Sequence, residues 1–420
     1  MGPLYTGKSC RACHAGAGRT TPTLFTHGGT GYDFSSFLVF LRTPNGQYHR
    51  DYGRVLHDHA IFGVRPEGRL QVKYTLVDDP EPVCWEDDGR CDPDDGRCSK
   101  WLVPPTAGQP RGYCLIREPQ ELCRSFPDGE KACLIRPHYR ITDWYVDGID
   151  PKHLQISVRT PLRHVGQGLM MALDRDELQA LAAIRYPEYG ISGKLNWVYE
   201  RGRWDIGISG HKAQRLDLTV EIGFQSSLGV TNPRFPEENA TGQAQEGPDF
   251  GLEITSREMA DVDLYMQGSG VPARRNYTDP RVVRGEEVFY RARCHLCHAP
   301  TLHTGPGIHE LIDGTALPPL AHQVIHPYSD FLLHDMGPDL GDDYPQWDAS
   351  GDEWRTPALW GIGLQEIVSG NTHLLHDGRA RNLLEAVMWH FGEEGAVSVA
   401  LLKRMPKADR DALLAFLRSL

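Results

Sequence analysis

Two short segments of the chain carry the residue types that attach haem to a protein. The pattern Cys-x-x-Cys-His occurs at residues 10–14 and again at 294–298. At this spacing two thiols can add to the vinyl groups of one haem, and the following His lies beneath the iron as its proximal ligand. A zinc knuckle or a redox-active Cys-x-x-Cys pair would not require the trailing His in both copies. We therefore expect two covalently attached haems c, held by Cys10, Cys13 and His14 and by Cys294, Cys297 and His298.

The sixth coordination position of each iron decides whether a haem carries electrons or admits a small oxidant. In the C-terminal half, Leu383, Val387 and His390 share one face of a predicted helix. We expect His390 to be the distal ligand of the second haem, with Met388 as its competitor. The N-terminal haem has four candidate distal ligands, His27, His49, His57 and His59. Each of them is explained at least as well as a solvated loop residue.

Peroxide chemistry needs a group that moves protons and an aromatic ring that relays electrons. Glu67 and Trp360 are the best candidates for these catalytic roles, and we expect Trp354 and Arg355 to line a haem site. The alternatives are that Glu67 is a turn residue and that each Trp packs in the core beside a haem. The acidic turn at 92–96 makes a bound calcium ion a further candidate cofactor, but the sequence contains no complete EF-hand loop that would support it.

Composition limits the partners and the location. With 44 basic and 56 acidic residues the net charge is -12, and no basic tract is long enough to bind a phosphate backbone. We therefore expect no nucleic-acid partner. No stretch of 18 apolar residues is present, which excludes a membrane-spanning helix. The first residues lack the basic and apolar runs of a signal peptide, so we expect either that an export signal has been removed or that the natural chain starts earlier.

The remaining six cysteines lie together in a loop rich in Asp, Gly and Pro. They are Cys84, Cys91, Cys98, Cys114, Cys123 and Cys133. An even number in such a loop predicts three disulfides of undetermined connectivity. A zinc–thiolate site is the alternative, but no Cys-x-x-Cys pair occurs in this stretch. Disulfides indicate an oxidising compartment, and we expect a periplasmic protein.

A second pattern follows each haem motif and indicates an internal repeat. Arg-Thr-Pro at 159–161 precedes Gly-Gln-Gly-Leu at 166–169, and Arg-Thr-Pro at 355–357 precedes Gly-Ile-Gly-Leu at 361–364. The first copy has one more residue than the second between its Pro and its first Gly. The chain is therefore expected to contain two haem domains in tandem.

We expect a mainly α fold of two cytochrome c-like domains, at residues 1–275 and 276–420. The N-terminal domain is expected to carry β-containing insertions and a disulfide-rich loop at about 80–135. Periodicity predicts three helices and two strands. The helices are at 283–292, 382–391 and 407–420, and the strands at 70–76 and 216–224.

Several longer motifs carry a family resemblance, and they lie in this order at 326–330, 332–337, 353–364 and 375–381. They resemble the di-haem oxidoreductase family, whose members are described as peroxidases or thiol oxidoreductases and are related to the bacterial di-haem cytochrome c peroxidases. The resemblance covers nearly the whole chain. In those peroxidases the residue in the place of His390 ligates the C-terminal haem. The resemblance implies that the C-terminal haem takes electrons from a donor, such as a small cytochrome or a cupredoxin, and passes them to the N-terminal haem, where peroxide is reduced.

The leading hypothesis is therefore a periplasmic di-haem oxidoreductase of the peroxidase type. One alternative is a non-catalytic electron-transfer protein in which both haems have two strong axial ligands. Another is an oxidase that acts on a side chain of a partner protein. The spin state of the N-terminal haem separates the first two hypotheses, because an open iron is high-spin and a bis-histidine iron is low-spin.

Overall fold

The computed structural model describes residues 3–14, 19–20, 37–43, 55–76, 123–146, 150–200, 202–216, 220–239, 241–243, 249–307 and 309–420. Within these ranges the helices are α1 (Cys10–Cys13), α2 (Gln167–Met171), α3 (Arg175–Ala183), α4 (Val220–Ile222), α5 (Ser256–Gln267), α6 (Pro280–Arg291), α7 (Gln365–Ser369), α8 (Leu383–Met388), α9 (Ala396–Lys403) and α10 (Lys407–Ser419). The strands are β1 (Leu4–Tyr5), β2 (Leu38–Arg42), β3 (His59–Ala60), β4 (Arg69–Leu76), β5 (Arg124–Ser125), β6 (Lys131–Ala132), β7 (Ile135–Thr142), β8 (Gln155–Arg159), β9 (Trp197–Glu200), β10 (Arg203–Ile206), β11 (Leu302–His303), β12 (His309–Glu310), β13 (Ala316–Leu317), β14 (Val324–Ile325), β15 (Leu333–Asp335) and β16 (Glu353–Arg355).

The expectation of a mainly α fold is wrong. The structure is 32% helical with 20% strand, and the strands of the described ranges form small two-stranded sheets. The longest ladder pairs β4 with β7, and the next pairs β2 with β8. Ladders in the C-terminal half, such as β15 with β16, contain only two or three residue pairs. Ladders this short connect neighbouring loops. Their strands contain too few residues to show a detectable period-two pattern in the sequence.

The three predicted helices are confirmed, as α6, as α8 with the 3₁₀ turn that follows it, and as α10. The strand predicted at 70–76 is confirmed as β4. The strand predicted at 216–224 is wrong, because Val220–Ile222 is α-helical and Gly223–Ser227 is π-helical. Five alternating apolar residues are a weak signal that tertiary packing overrides. No helix in the described part of the chain combines the length and the apolar content needed to cross a bilayer.

Helices α6 and α10 pack against each other in the C-terminal half. Helix α6 begins where the Asp279 side chain accepts a hydrogen bond from the Arg281 N–H, with Pro280 at its first position. Its buried face, including Phe289, packs on Phe416 of α10, with ring centroids 5.3 Å apart. A Cβ on Gly285 would overlap the Ala412 carbonyl oxygen, so only glycine allows the two backbones to approach this closely. This pair of helices fixes the position of the loop that follows α6.

Candidate functional site

Helix α6 delivers the second Cys-x-x-Cys-His motif to the interior of the protein. The chain turns sharply at Arg293, whose φ is 65°. Residues 294–296 then form one turn of 3₁₀ helix, and the His298 N–H donates to the Cys294 carbonyl at 2.9 Å. This turn places Cys294, Cys297 and His298 on the wall of one cavity of about 220 Å³.

His390 faces His298 across this cavity. The two ring centroids lie 6.4 Å apart, with 52° between the ring planes. The Nδ1 atom of His298 is 2.9 Å from the Tyr328 carbonyl oxygen, and that of His390 is 2.8 Å from the Ala386 carbonyl oxygen. Donation from Nδ1–H leaves the Nε2 lone pair available on each ring. Burial lowers the pKa of His298 to about 4 and also lowers the pKa of His390, so both rings are neutral near pH 7.

Apolar side chains make up most of the remaining wall. They include Phe289, Leu359, Ile362, Leu383, Val387 and Leu413. Met388, the competing ligand, is fully buried and packs with Trp389 in a separate core cluster. The helical face predicted for Leu383, Val387 and His390 therefore does line the cavity.

Trp354 and Arg355 also line the cavity, from strand β16. The Trp354 ring stacks on His376, with centroids 3.8 Å apart and 11° between the planes. The Lys212 ammonium lies 4.1 Å from the centroid of the Trp354 ring, an arrangement typical of a cation–π contact. Burial, opposed by the Asp342 carboxylate, lowers the pKa of Lys212 to about 8. Trp354 thus contacts both a cation and the His376 ring, whose pKa is lowered by burial to about 3.

A buried acid–base cluster lies beside Cys297. His334 contacts Asp330 through Nε2 at 2.8 Å and Glu394 through Nδ1 at 2.6 Å. The Cys297 Sγ is 3.6 Å from the same Nδ1 atom. Burial alone would lower the pKa of His334, but the Asp330 charge raises it well above its usual value. The cluster therefore places an imidazolium next to Cys297, one of the two cysteines of the second motif.

The first Cys-x-x-Cys-His motif forms the short helix α1. Strand β1, which precedes it, pairs with β3, and the Gly7 N–H donates to the Ser227 carbonyl at 3.0 Å. Burial and the nearby Asp58 raise the pKa of the Cys13 thiol to about 11. The ring of His14 lies against His164, with centroids 3.8 Å apart. His164 is thus the histidine that the structure places in ring contact with the first motif.

Of the four N-terminal ligand candidates, His27 and His49 lie outside the described residues. His57 has both ring nitrogens engaged, Nδ1 with Glu67 at 3.0 Å and Nε2 with the Ser226 carbonyl at 2.9 Å. His59 contacts Asp58 through Nδ1 at 2.8 Å and stacks on Tyr5.

Glu67 is completely buried. Its Oε2 accepts hydrogen bonds from the backbone N–H and the ring of His57, and its Oε1 accepts one from Gln243 at 2.7 Å. Burial opposes the charged form of His57, but the charge and hydrogen bond of Glu67 raise the pKa of that ring. The structure therefore places Glu67 in a closed hydrogen-bond network, and its catalytic role stays a prediction.

Trp360 connects the two copies of the Arg-Thr-Pro motif. Its Nε1–H donates to the Val165 carbonyl at 3.0 Å, and its ring fills the space beside Gly166. From the first copy, Arg163 donates to the Ala358 carbonyl of the second copy at 2.8 Å. The two repeats therefore contact each other directly, and Trp360 lies where they meet.

A family model with the description “Di-haem oxidoreductase, putative peroxidase” matches residues 101–420. This chain belongs to the di-haem oxidoreductase family. The family predicted from the sequence motifs is thereby confirmed, and its description implies two haem groups. No curated protein and no solved structure matches the chain.

The C-terminal cavity of this di-haem oxidoreductase fits a haem with two axial histidines. Two imidazoles on opposite sides of one metal, each bound at about 2.0 Å through nitrogen, place their ring centroids roughly 6.3 Å apart. The observed separation of His298 and His390 is 6.4 Å. Both rings already use Nδ1 for a backbone carbonyl, as ligating histidines in proteins commonly do. The donor atoms, the distance between the two rings and the apolar wall therefore all fit a haem held by two histidines.

Sequence reasoning missed two residues near the Cys-x-x-Cys-His motifs, His164 beside His14 and Arg19 in the wall of the C-terminal cavity. His164 stands five residues after Arg159, as Trp360 stands five after Arg355, so an alignment of the two repeats could have found it. No comparable signal marks Arg19, because its position in the wall depends on long-range contacts with the carbonyls of His373 and Leu375.

The cysteine-rich stretch of this di-haem oxidoreductase lies partly outside the described residues, including Cys84, Cys91, Cys98 and Cys114. Cys123 and Cys133 form a disulfide, which closes the hairpin of β5 and β6. Phe126 and Leu134 from this hairpin region pack in one buried cluster with Ala386, Met388 and Trp389. The hairpin therefore supports the helix that leads to His390.

Proposed function

We propose that this chain is a c-type di-haem oxidoreductase of the peroxidase type, with each haem attached covalently to one Cys-x-x-Cys-His motif. His14 and His298 are the proximal ligands, and His390 is the distal ligand of the C-terminal haem. The observation that carries the proposal is the facing pair His298 and His390, 6.4 Å apart in an apolar cavity that also presents Cys294 and Cys297.

When bound, the haems supply one-electron transfer and, at an iron with an open position, reduction of peroxide. His298 and His390 would both hold the C-terminal haem, and the apolar side chains around them would exclude water. A haem held by two histidines would transfer electrons without binding peroxide. In this proposal the C-terminal site would receive electrons from a small cytochrome or cupredoxin, and the haem held by Cys10, Cys13 and His14 would supply the reduction of peroxide. The disulfide at Cys123 and Cys133 supports a periplasmic location.

Two further residues receive roles in the proposal. Glu67, with His57, forms a buried acid–base pair in the N-terminal half and is the proposed proton-transfer group. Trp360 is the proposed aromatic contact between the halves, since its N–H reaches Val165. Trp354, stacked on His376, lines the C-terminal cavity and is a proposed haem contact together with Arg355.

One observation bears on the electron-carrier alternative. Burial and the nearby His14 lower the pKa of His164 to about 3, so its ring is neutral. The ring centroids of His164 and His14 are 3.8 Å apart, less than the roughly 6.3 Å that two imidazoles across one metal require, so His164 could become a sixth ligand of the N-terminal haem only by moving away from His14. With both haems ligated by two histidines, the protein would transfer electrons without binding peroxide.

Covalent attachment is tested by mass spectrometry of the denatured protein. We expect two haems per chain, because two thioether bonds per haem survive unfolding. The paired change Cys294→Ala and Cys297→Ala should remove one haem, and Cys10→Ala with Cys13→Ala should remove the other. Retention of one haem or none by the unmodified protein would contradict the proposal.

A further inference from the structure

Three arginines converge on the cavity that contains His298 and His390. Arg19 and Arg163 come from the N-terminal half, and Arg355 comes from β16. Arg19 is 8% exposed and Arg355 6%. Arg163 retains some accessible surface because it lines the cavity, but its Nη1 atom is buried.

Among the described residues, the hydrogen bonds of these guanidinium groups go to backbone carbonyls, and Arg355 also lies over the Phe331 ring, 5.4 Å from its centroid. Arg19 donates from Nη1 to the Leu375 carbonyl at 3.1 Å, and Arg163 donates from Nη2 to that of Ala358 at 2.8 Å. Arg355 donates from Nε to the Gly210 carbonyl at 2.8 Å. Within the part of the chain that the structure describes, the Nε of Arg19 and the Nη1 of Arg163 have no hydrogen-bond partner. Nor does any of the three arginines form an ion pair with a described carboxylate.

Burial of these cations without a counter-ion is unfavourable. It lowers the pKa of Arg19 to about 9 and the pKa values of Arg163 and Arg355 to about 10. The positive charge of Arg163 lowers the pKa of Arg19 further, whereas the charges of Asp377 and Asp330, which form no ion pair with these arginines, raise the pKa values of Arg19 and Arg355 respectively. Buried charges in proteins are paired, so an anion is expected in this cavity.

We infer that Arg19, Arg163 and Arg355 bind the propionate carboxylates of the C-terminal haem, an assignment that rests on the proposed haem binding. A guanidinium group matches a carboxylate in charge and in bidentate geometry. The C-terminal haem carries two such groups, and its axial histidines lie in the same cavity. The N-terminal half therefore supplies part of the binding site for the haem of the C-terminal half.

The test measures the reduction potential of each haem in Arg163→Gln and in the double variant Arg19→Gln with Arg163→Gln. Loss of a positive charge stabilises ferric over ferrous haem, so the potential of the bis-histidine haem should become more negative, and more so in the double variant. Its dependence on pH between about 5 and 8 should increase, because a carboxylate that loses a cation has a raised pKa. Arg163→Lys keeps the charge and should retain most of the original potential.

Arg215→Gln is the control for loss of a largely buried arginine outside the cavity. Arg215 donates from Nη1 to Glu200 Oε1 at 2.7 Å, and its side chain is 14% exposed. Its replacement should lower stability and leave both potentials unchanged. If Arg163→Gln behaves like this control, or if the potential of the N-terminal haem shifts in its place, the assignment is overturned.

Two further measurements distinguish bound propionates from a free carboxylate and from a missing haem. Acetate added to the unmodified protein should leave the potentials unchanged. A shift with acetate that Arg163→Gln abolishes would show that the arginines bind a free carboxylate substrate and would overturn the propionate assignment. The number of covalent haems is counted first in every variant. A chain without haem overturns the proposed function, whereas a chain with two haems and unchanged potentials overturns only the propionate assignment.

Discussion

Asp377→Asn should destabilise the turn that leads to helix α8 and His390. The Asp377 carboxylate is buried and accepts hydrogen bonds from Arg379 Nε at 2.9 and 3.1 Å and from the Tyr139 hydroxyl at 2.9 Å. Arg379 is itself 4% exposed and lies over the Trp389 ring, the residue before His390. The substitution therefore leaves a guanidinium group buried without its carboxylate.

The expected loss is about 3–5 kcal/mol of unfolding free energy, the range for breaking a buried ion pair by removal of one partner. Burial alone would raise the pKa of Asp377, but the Arg379 charge and its hydrogen bonds lower it below its usual value. A carboxyl group with a lowered pKa in the folded state stabilises the protein above its unfolded pKa, near 3.9, and loses that contribution as the pH falls towards the folded value. The difference between the variant and the unmodified protein should thus be full at pH 7 and shrink below about pH 4.

Urea unfolding of the haem-containing protein, followed by far-ultraviolet circular dichroism and by the haem absorption band, measures this loss. Tyr139→Phe is the matched control, because it removes one hydrogen bond to the same carboxylate and keeps the charge; it should cost about 1 kcal/mol. If Asp377→Asn costs no more than Tyr139→Phe, the buried ion pair does not hold the turn as argued.

Two further predictions concern the distal ligand and the cysteines. His390→Ala should convert one haem from low spin to high spin in the electron paramagnetic resonance spectrum, and added imidazole should restore the low-spin signal; unchanged low-spin signals would assign the ligand to Met388 or another residue. Thiol titration of the unfolded protein should find the six cysteines outside the haem motifs oxidised, and Cys123→Ser with Cys133→Ser should cost about 2–4 kcal/mol of stability. More than about one free thiol per chain, or stoichiometric zinc, would contradict the disulfide prediction.

The parts of the site that the sequence predicted have short-range causes. The spacing in Cys-x-x-Cys-His is itself the geometry of attachment, so residues 294–298 could be placed without any tertiary information. His390 could be placed because the predicted amphipathic helix puts it on the same face as Leu383 and Val387; it lies in the 3₁₀ turn directly after α8 and still reaches the cavity wall. The start of α6 also has a local cause, since Asp279 and Pro280 are capping signals, and the helix begins at Pro280, three residues before the predicted start at 283.

The parts that the sequence did not predict depend on long-range contacts. The mainly α expectation failed because ladders such as β1 with β3 and β15 with β16 join segments far apart in the chain over only two or three residue pairs. Arg19 lines the C-terminal cavity only because it bonds carbonyls more than 350 positions away. The contact of His164 with His14 likewise spans most of the N-terminal half. No local periodicity encodes such contacts.

Low-temperature electron paramagnetic resonance of the unmodified oxidised protein, before and after addition of hydrogen peroxide, tests the proposed function most directly. We predict one low-spin haem, from His298 and His390, that peroxide leaves in place. We also predict one high-spin haem, held by His14, whose signal changes after peroxide is added. Two low-spin signals that do not respond to peroxide would contradict the peroxidase proposal and would identify His164 as the residue to test next as the second ligand at the N-terminal site.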